Sequence, residues 1–84
     1  MEKPAFYYVY ILQSAAGTGR FYTGFTENLE TRLKDHNSGK NPHTAKQKPW
    51  RIKTAIAFSD RNKALEFERY LKSPSGRAFS KKRL

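Results

Sequence analysis

The chain contains no cysteine. A disulfide framework, a zinc finger or ribbon, an iron–sulfur site and a thiol nucleophile are therefore excluded, and the lack fits a reducing compartment. Nor does any stretch approach the roughly 18 apolar residues of a membrane span. No apolar core follows Lys3 to suggest a signal peptide, so the expectation is a cytoplasmic protein with no membrane partner. Acidic residues are scarce as well: seven Asp and Glu stand against seventeen Lys and Arg, a formal charge of +10 on 84 residues. Such an excess attracts polyanions, phosphate backbones above all, whatever their sequence. Solubility alone is the blander reason for it. An anionic membrane surface suits it less, because no long basic amphipathic helix is present.

What the chain does have is aromatic side chains: five Tyr, six Phe and one Trp. In a single small domain these must supply much of the buried area. Residues 6–12 (FYYVYIL) are β-branched and aromatic on both alternating faces, the pattern of a central strand. The small, glycine-containing stretch 14–19 connects it to a second short strand over residues 20–25 (RFYTGF), which predicts an antiparallel hairpin. Tyr10 and Tyr22 then share a sheet face, depending on register.

Residues 28–37 read as a helix closed by Ser38 and Gly39, residues 40–49 as a loop, and residues 50–58 as a third strand with Ile52, Thr54, Ile56 and Phe58 on one face. Ser59 and Asp60 cap a second helix that runs to about Lys72. Ser73 and Pro74 open a short third one. The expected fold is α+β, a three-stranded antiparallel sheet flanked by helices in the order ββαβαα. It forms one domain over residues 1–84, with an ordered core at about 5–73 and a basic C-terminal segment 74–84.

Eleven of the seventeen basic residues fall in two stretches. Lys40, Lys46, Lys48, Arg51 and Lys53 occupy the loop and the strand it feeds. Arg69, Lys72, Arg77, Lys81, Lys82 and Arg83 occupy the C-terminal quarter. Of these, Lys40, Lys46, Lys48, Arg51, Lys72 and Arg77 are the candidate nucleic-acid contacts; a solvated face and a frayed tail are the alternative. Trp50, Phe25 and Phe79 read as core anchors and His43 as a solvated loop residue.

Three polar residues break the helical pattern. On the first helix Leu29 and Leu33 mark the buried stripe, and Arg32 and His36 lie about 60° to its side, where a cleft can open. Taken singly, Arg32 is equally a snorkelling surface arginine, and His36 a near-terminal histidine favoured by the helix dipole. On the second helix Glu68 falls inside the apolar arc of Ala64, Phe67 and Leu71, whereas Glu66 points away. A carboxylate there must be paired or bound to metal, and Lys72 one turn on is the obvious partner.

Tyr8-Val9-Tyr10 followed by Tyr22-Thr23-Gly24 resembles the paired signature of the GIY-YIG endonuclease superfamily. Thr26, Asn28, Leu29, Arg32 and His36 resemble its first helix, and Ala64, Leu65, Glu68, Leu71 and Lys72 the helix that carries its metal-binding glutamate. The likeness covers nearly the whole chain. It is nearest to the small stand-alone UPF0213 (YhbQ-like) group, related to the N-terminal endonuclease domain of the excinuclease of nucleotide-excision repair. It implies a metal-dependent endonuclease acting on DNA phosphodiesters, in repair or recombination, with Tyr10, Tyr22, Arg32, His36 and Glu68 as catalytic residues. Glu68 would be the sole carboxylate ligand of Mg2+ or Mn2+, and a larger repair complex would be the partner. The chain departs from the signature at the leading glycine, replaced by Tyr8, and at Phe25, where the repair nucleases carry a lysine.

The chemistry suits those residue types. Phosphodiester hydrolysis needs a nucleophile, charge relief on the pentavalent phosphate and help for the leaving oxygen. One carboxylate plus substrate phosphate can hold a hard, water-rich ion. Arg32 forks onto phosphate oxygens and stays charged. A tyrosine, ordinarily near pKa 10, can act as base beside cations; Tyr22 is the favoured base and Tyr10 its orienting partner. Two other readings remain open: a non-catalytic nucleic-acid-binding module, and a small adapter of a repair complex.

Overall fold

In the computed structural model, which describes residues 4–84, strand β1 (Tyr7–Ser14) lies between β2 (Phe21–Thr26) and β3 (Trp50–Phe58) and is antiparallel to both. The first three residues of the expected domain lie outside the described residues. β1 takes the centre because it is apolar on both faces, and each face is covered. Val9 and Ile11 point into one cluster with Ala64 and Leu71, while Tyr10 and Leu12 point into another with Trp50. Each aliphatic residue sealed in this way contributes about 1.5–3 kcal/mol relative to exposure.

The helices divide between these layers. Helix α1 (Leu29–Ser38) covers the Tyr10 face with Leu29 and Leu33. Asn28 caps its first turn by accepting from the amide of Thr31, and Gly39 ends it at φ 83°, where a side chain would be strained. Helix α2 (Arg61–Leu71), capped by Asp60, covers the Val9 face with Ala64, Phe67 and Leu71. Helix α3 (Pro74–Arg83), capped by Ser73, packs on α2. The approach is tight: a Cβ on Gly76 would collide with the backbone of Tyr70 and Leu71.

Three expectations need correction. First, the alternation along β3 breaks at Lys53. Ile11 pairs with Thr54 but Leu12 pairs with Ile52, so a bulge leaves one residue unopposed. The consequence is large, because the change of phase carries Trp50 onto the Tyr10 face, where it is 4% exposed. Second, Phe79 is not core: it is 38% exposed, edge-on to Phe67 and beside Tyr70 on the outer side of the helical layer. Third, the basic segment 74–84 is helical over Pro74–Arg83, and Leu84 returns to the Val9 cluster, its carbonyl accepting from Thr54 Oγ1 at 2.8 Å.

The loop 40–49 is also more ordered than its composition suggests. It contains a single 3-10 turn (Ala45–Gln47), and its ends are tied down. Ser14 Oγ donates to the carbonyl of Gln47, Trp50 Nε1 donates to the carbonyl of Thr44 at 2.9 Å, and the Asn37 carboxamide brackets the backbone N–H and carbonyl of Trp50.

Candidate active site

The hairpin register sets the site. Tyr10 pairs with Gly24 and Leu12 with Tyr22, so the two tyrosines stand on one face as diagonal neighbours, ring centroids 6.3 Å apart. Gly24 is required for this. A Cβ there would lie 2.6 Å from Cζ of Tyr10, so the phenol lies flat across the place where a side chain would stand. Tyr10 is 3% exposed, whereas Tyr22, on the edge strand, is half-buried.

His36 completes the cluster from the last turn of α1. Its Nε2 is 3.0 Å from the Tyr10 hydroxyl, its Nδ1 is 2.8 Å from Thr44 Oγ1, and its ring lies 4.8 Å from that of Tyr22. At 1% exposure it is the buried residue of α1, deeper than Leu29 or Leu33. A charged histidine stabilised by the helix dipole is therefore not what stands here. Burial, followed by the nearby Arg32 guanidinium, pushes its pKa below the ordinary 6.5, against a smaller opposing pull from Asp35. Burial likewise raises the Tyr10 hydroxyl well above its usual 10. Tyr22 adds to this, Arg32 works against it, and Glu68 adds a little more. Tyr10 is a protonated hydrogen-bonding group at neutral pH, not a base.

Arg32 is exposed and forms the shared wall of two shallow clefts. One, of about 280 Å³, is lined by Thr26, Asn28, Thr31 and Asp35; the other, of about 420 Å³, by Asp35, Lys40, Asn41 and His43. The charge of Arg32 reaches both Tyr10 and His36, and that of Glu68 reaches Tyr10, so these four groups share one electrostatic neighbourhood. Glu68 itself projects from α2 and is only about one-fifth exposed. Lys72 Nζ holds its Oε2 at 2.9 Å, while Oε1 has no protein partner among the described residues. No group of three or more His, Cys, Asp or Glu lies together among the described residues. A divalent ion would thus meet one carboxylate oxygen and otherwise water or phosphate, a donor set that fits a hard cation.

The candidate phosphate contacts do not form one group. Lys40 lines the second cleft, 3.8 Å from Asp35. Lys46 is exposed on the 3-10 turn, Lys48 extends over Gly39 at the end of α1, and Arg51 reaches Gln13 at 3.4 Å. Lys72 is engaged by Glu68, and Arg77 is exposed on α3, in the opposite layer from the loop. His43 is exposed, as expected. Two residues that hold the cluster have no local signal in the sequence. Thr44, 1% exposed, sits in a loop without periodicity, and Asn37 acts only through a contact thirteen residues away.

A small antiparallel sheet with paired tyrosines, a helical arginine and histidine, and one carboxylate on a later helix defines a nuclease-type α+β domain. Residues 6–83 match the GIY-YIG catalytic domain, and the chain belongs to that family. A UPF0213 protein of Lacticaseibacillus paracasei is 40% identical over 67 residues, covering 79% of this chain and 73% of the relative. The structure-specific endonuclease subunit SLX1 of Debaryomyces hansenii is 37% identical over 78 residues, 84% of this chain but 22% of that protein. The solution structure of a UPF0213 protein from Bacillus halodurans superposes with a TM-score of 0.55 at 34% identity, covering 90% of this chain and 80% of that one. Fold and family are those that the tyrosine triplets and the two helices imply. No helix among the described residues is long and apolar enough to cross a membrane.

Proposed function

We propose that this chain is a metal-dependent endonuclease that hydrolyses DNA phosphodiester bonds and serves repair or recombination. The observation that carries the reading is the polar cluster on an otherwise apolar sheet face. Tyr10 and His36 are sealed together at 3.0 Å, with Tyr22 against the histidine and the charges of Arg32 and Glu68 in range. A binding surface has no need to bury a Tyr–His pair, since burial of polar groups is unfavourable unless they are held for a purpose.

The residues divide the work as follows. Arg32, at the wall of both clefts, binds the scissile phosphate through its forked donors and offsets charge on the pentavalent centre. Tyr22, on the wetter edge strand, accepts the proton of the attacking water. Tyr10 stays protonated and orients Tyr22 or that water. Glu68 would hold Mg2+ or Mn2+ through Oε1; when bound, the ion supplies Lewis-acid stabilisation of the phosphate and the leaving oxygen. Lys40, Lys46, Lys48 and Arg51 carry the flanking backbone. The resemblance to a named endonuclease subunit favours a larger repair complex as partner.

The test is cleavage of supercoiled plasmid and branched oligonucleotides by wild type and Glu68→Ala in Mg2+, Mn2+ and EDTA. Metal-dependent cutting by wild type, lost in the variant while gel-shift binding persists, supports the reading. Cutting that survives the substitution overturns the assignment of Glu68. The ion pair between Lys72 and Glu68 favours one competing reading, a non-catalytic nucleic-acid-binding module, and binding without cutting by wild type would establish it.

A further inference from the structure

Tyr10, His36 and Thr44 form a chain of three buried polar side chains from three elements, exposed by 3%, 1% and 1%. Its proton directions follow from counting donors. Thr44 Oγ1 carries one hydrogen, and besides His36 it faces the carbonyl of Asn41 at 3.5 Å, a long back-bond within the turn that Asn41 opens. The Tyr10 hydroxyl has His36 Nε2 as its one protein partner among the described residues. Suppose Nε2 carried the hydrogen. The Tyr10 oxygen would then accept, and its own proton would lack a protein acceptor. With the hydrogen on Nδ1 every group is used once: Tyr10 donates to Nε2, Nδ1 donates to Thr44 Oγ1, and Thr44 donates to Asn41. Buried donors left unpaired are strongly disfavoured, so the second arrangement stands.

We propose that Thr44 is a positioning residue of the Tyr10 centre: its hydroxyl holds His36 in the Nδ1–H form, which commits the Tyr10 proton to Nε2 and leaves the Tyr10 oxygen as an acceptor only. An acceptor-only oxygen is what an orienting partner needs, since it can take a hydrogen bond from the attacking water or from Tyr22. Thr44 does this from the basic loop, and its carbonyl is fixed in turn by the Trp50 indole at 2.9 Å. The segment that carries Lys40, Lys46 and Lys48 is thereby hydrogen-bonded to the Tyr–His pair rather than hung beside it. The inference rests on the nuclease reading for its catalytic consequence, but not for its geometry.

The experiment uses the full chain labelled with 15N-histidine. Of its two histidines, exposed His43 serves as the internal reference. Long-range 1H–15N spectra of wild type are expected to show a protonated Nδ1 and a bare Nε2 for His36. Thr44→Val, of matching shape, should lose that pattern and lower kcat by about 10- to 100-fold with KM unchanged, the usual range for removing a group that orients a functional histidine. Thr44→Ser should restore both. A wild-type His36 protonated on Nε2 overturns the proposal, and that reading needs no variant to fold. Retention of the Nδ1–H pattern and of kcat in Thr44→Val overturns it as well, as does failure of serine to rescue. A wild type with the expected pattern that cuts nothing supports the geometry and sinks the nuclease reading alone.

Discussion

Gly24→Ala tests the packing on which the site depends. The added methyl would stand 2.6 Å from Cζ and 3.0 Å from Cε1 of Tyr10, where apolar contacts settle at about 3.5–4.0 Å. The ring must therefore retreat by roughly 1 Å, yet it is 3% exposed and packed with Leu12 and Trp50. Overpacking of this kind costs about 1–3 kcal/mol. Alanine recovers about 0.5–1 kcal/mol of the backbone penalty that glycine carries in a strand. The net expectation is a loss of about 1–2 kcal/mol, which lowers Tm by about 4–15 °C in a domain of this size. The hydroxyl is drawn off His36 at the same time, so cleavage should fall by more than the lost stability explains. Thermal unfolding followed by circular dichroism measures the first effect, and a double-mutant cycle with Tyr10→Leu isolates its cause. Leucine lacks the distal ring atoms, so Gly24→Ala should be neutral or stabilising in that background. A Tm unchanged by Gly24→Ala, or an equal drop with leucine at position 10, would refute the reasoning.

Stability should fall on both sides of a plateau. Because His36 has a lowered pKa when folded, the unfolded chain binds more protons as pH drops below about 6.5, and stability declines there. Because Tyr10 is raised, its contribution is complete below about pH 10 and is lost as pH rises above that. Urea titrations from pH 4 to 11 would show it, and a flat profile across both limbs would be inconsistent with burial of the pair. Replacing Lys46 and Lys48 by alanine should reduce the slope of log affinity against log salt by roughly 0.9 per lost phosphate contact; an unchanged slope removes them from the interface. Lys72→Met should hardly alter Tm, since partly exposed i,i+4 pairs are worth about 0.3–0.5 kcal/mol. It should tighten Mn2+ binding, measured by water-proton relaxation, because Glu68 is freed; weaker binding would speak against Glu68 as the ligand.

What can be read from the sequence is whatever depends on short-range pattern. Apolar residues on both faces of 6–12 require a covered central strand, and Asn28, Gly39, Asp60 and Ser73 mark helix ends by local hydrogen bonding and backbone strain. The tyrosine triplets, Arg32 and Glu68 are visible as residues out of pattern. What escapes depends on partners distant in the chain. The bulge at Lys53 obeys the pairing with β1 and not the alternation of β3, so Trp50 takes the opposite phase to the one that alternation predicts. Thr44 looks like any loop threonine until His36 and Trp50 arrive from either side. Helical spacing places His36 on the shoulder of α1, but only the loop folding over it makes it the most buried residue there. Phe79 departs in the opposite sense: aromatic composition argues for core, yet α3 has only α2 to pack on and leaves one side of the ring to solvent.

The two tyrosines owe their different roles to position in the sheet. β1 is central and covered on both sides, so Tyr10 is desolvated, its ring fitted over Gly24 and its hydroxyl capped by His36. Desolvation disfavours the phenolate, and a group that cannot release its proton serves best as a fixed hydrogen-bonding partner. β2 is an edge strand, so Tyr22 meets the histidine on one side and open space on the other. Water and a phosphate can reach it there without disturbing the core. Exchanging the two environments is not open to the fold, because the glycine that admits the Tyr10 ring lies opposite position 10 and nowhere else along the hairpin. The division between a sealed tyrosine and an accessible one is therefore set by strand order, before any metal or substrate is bound.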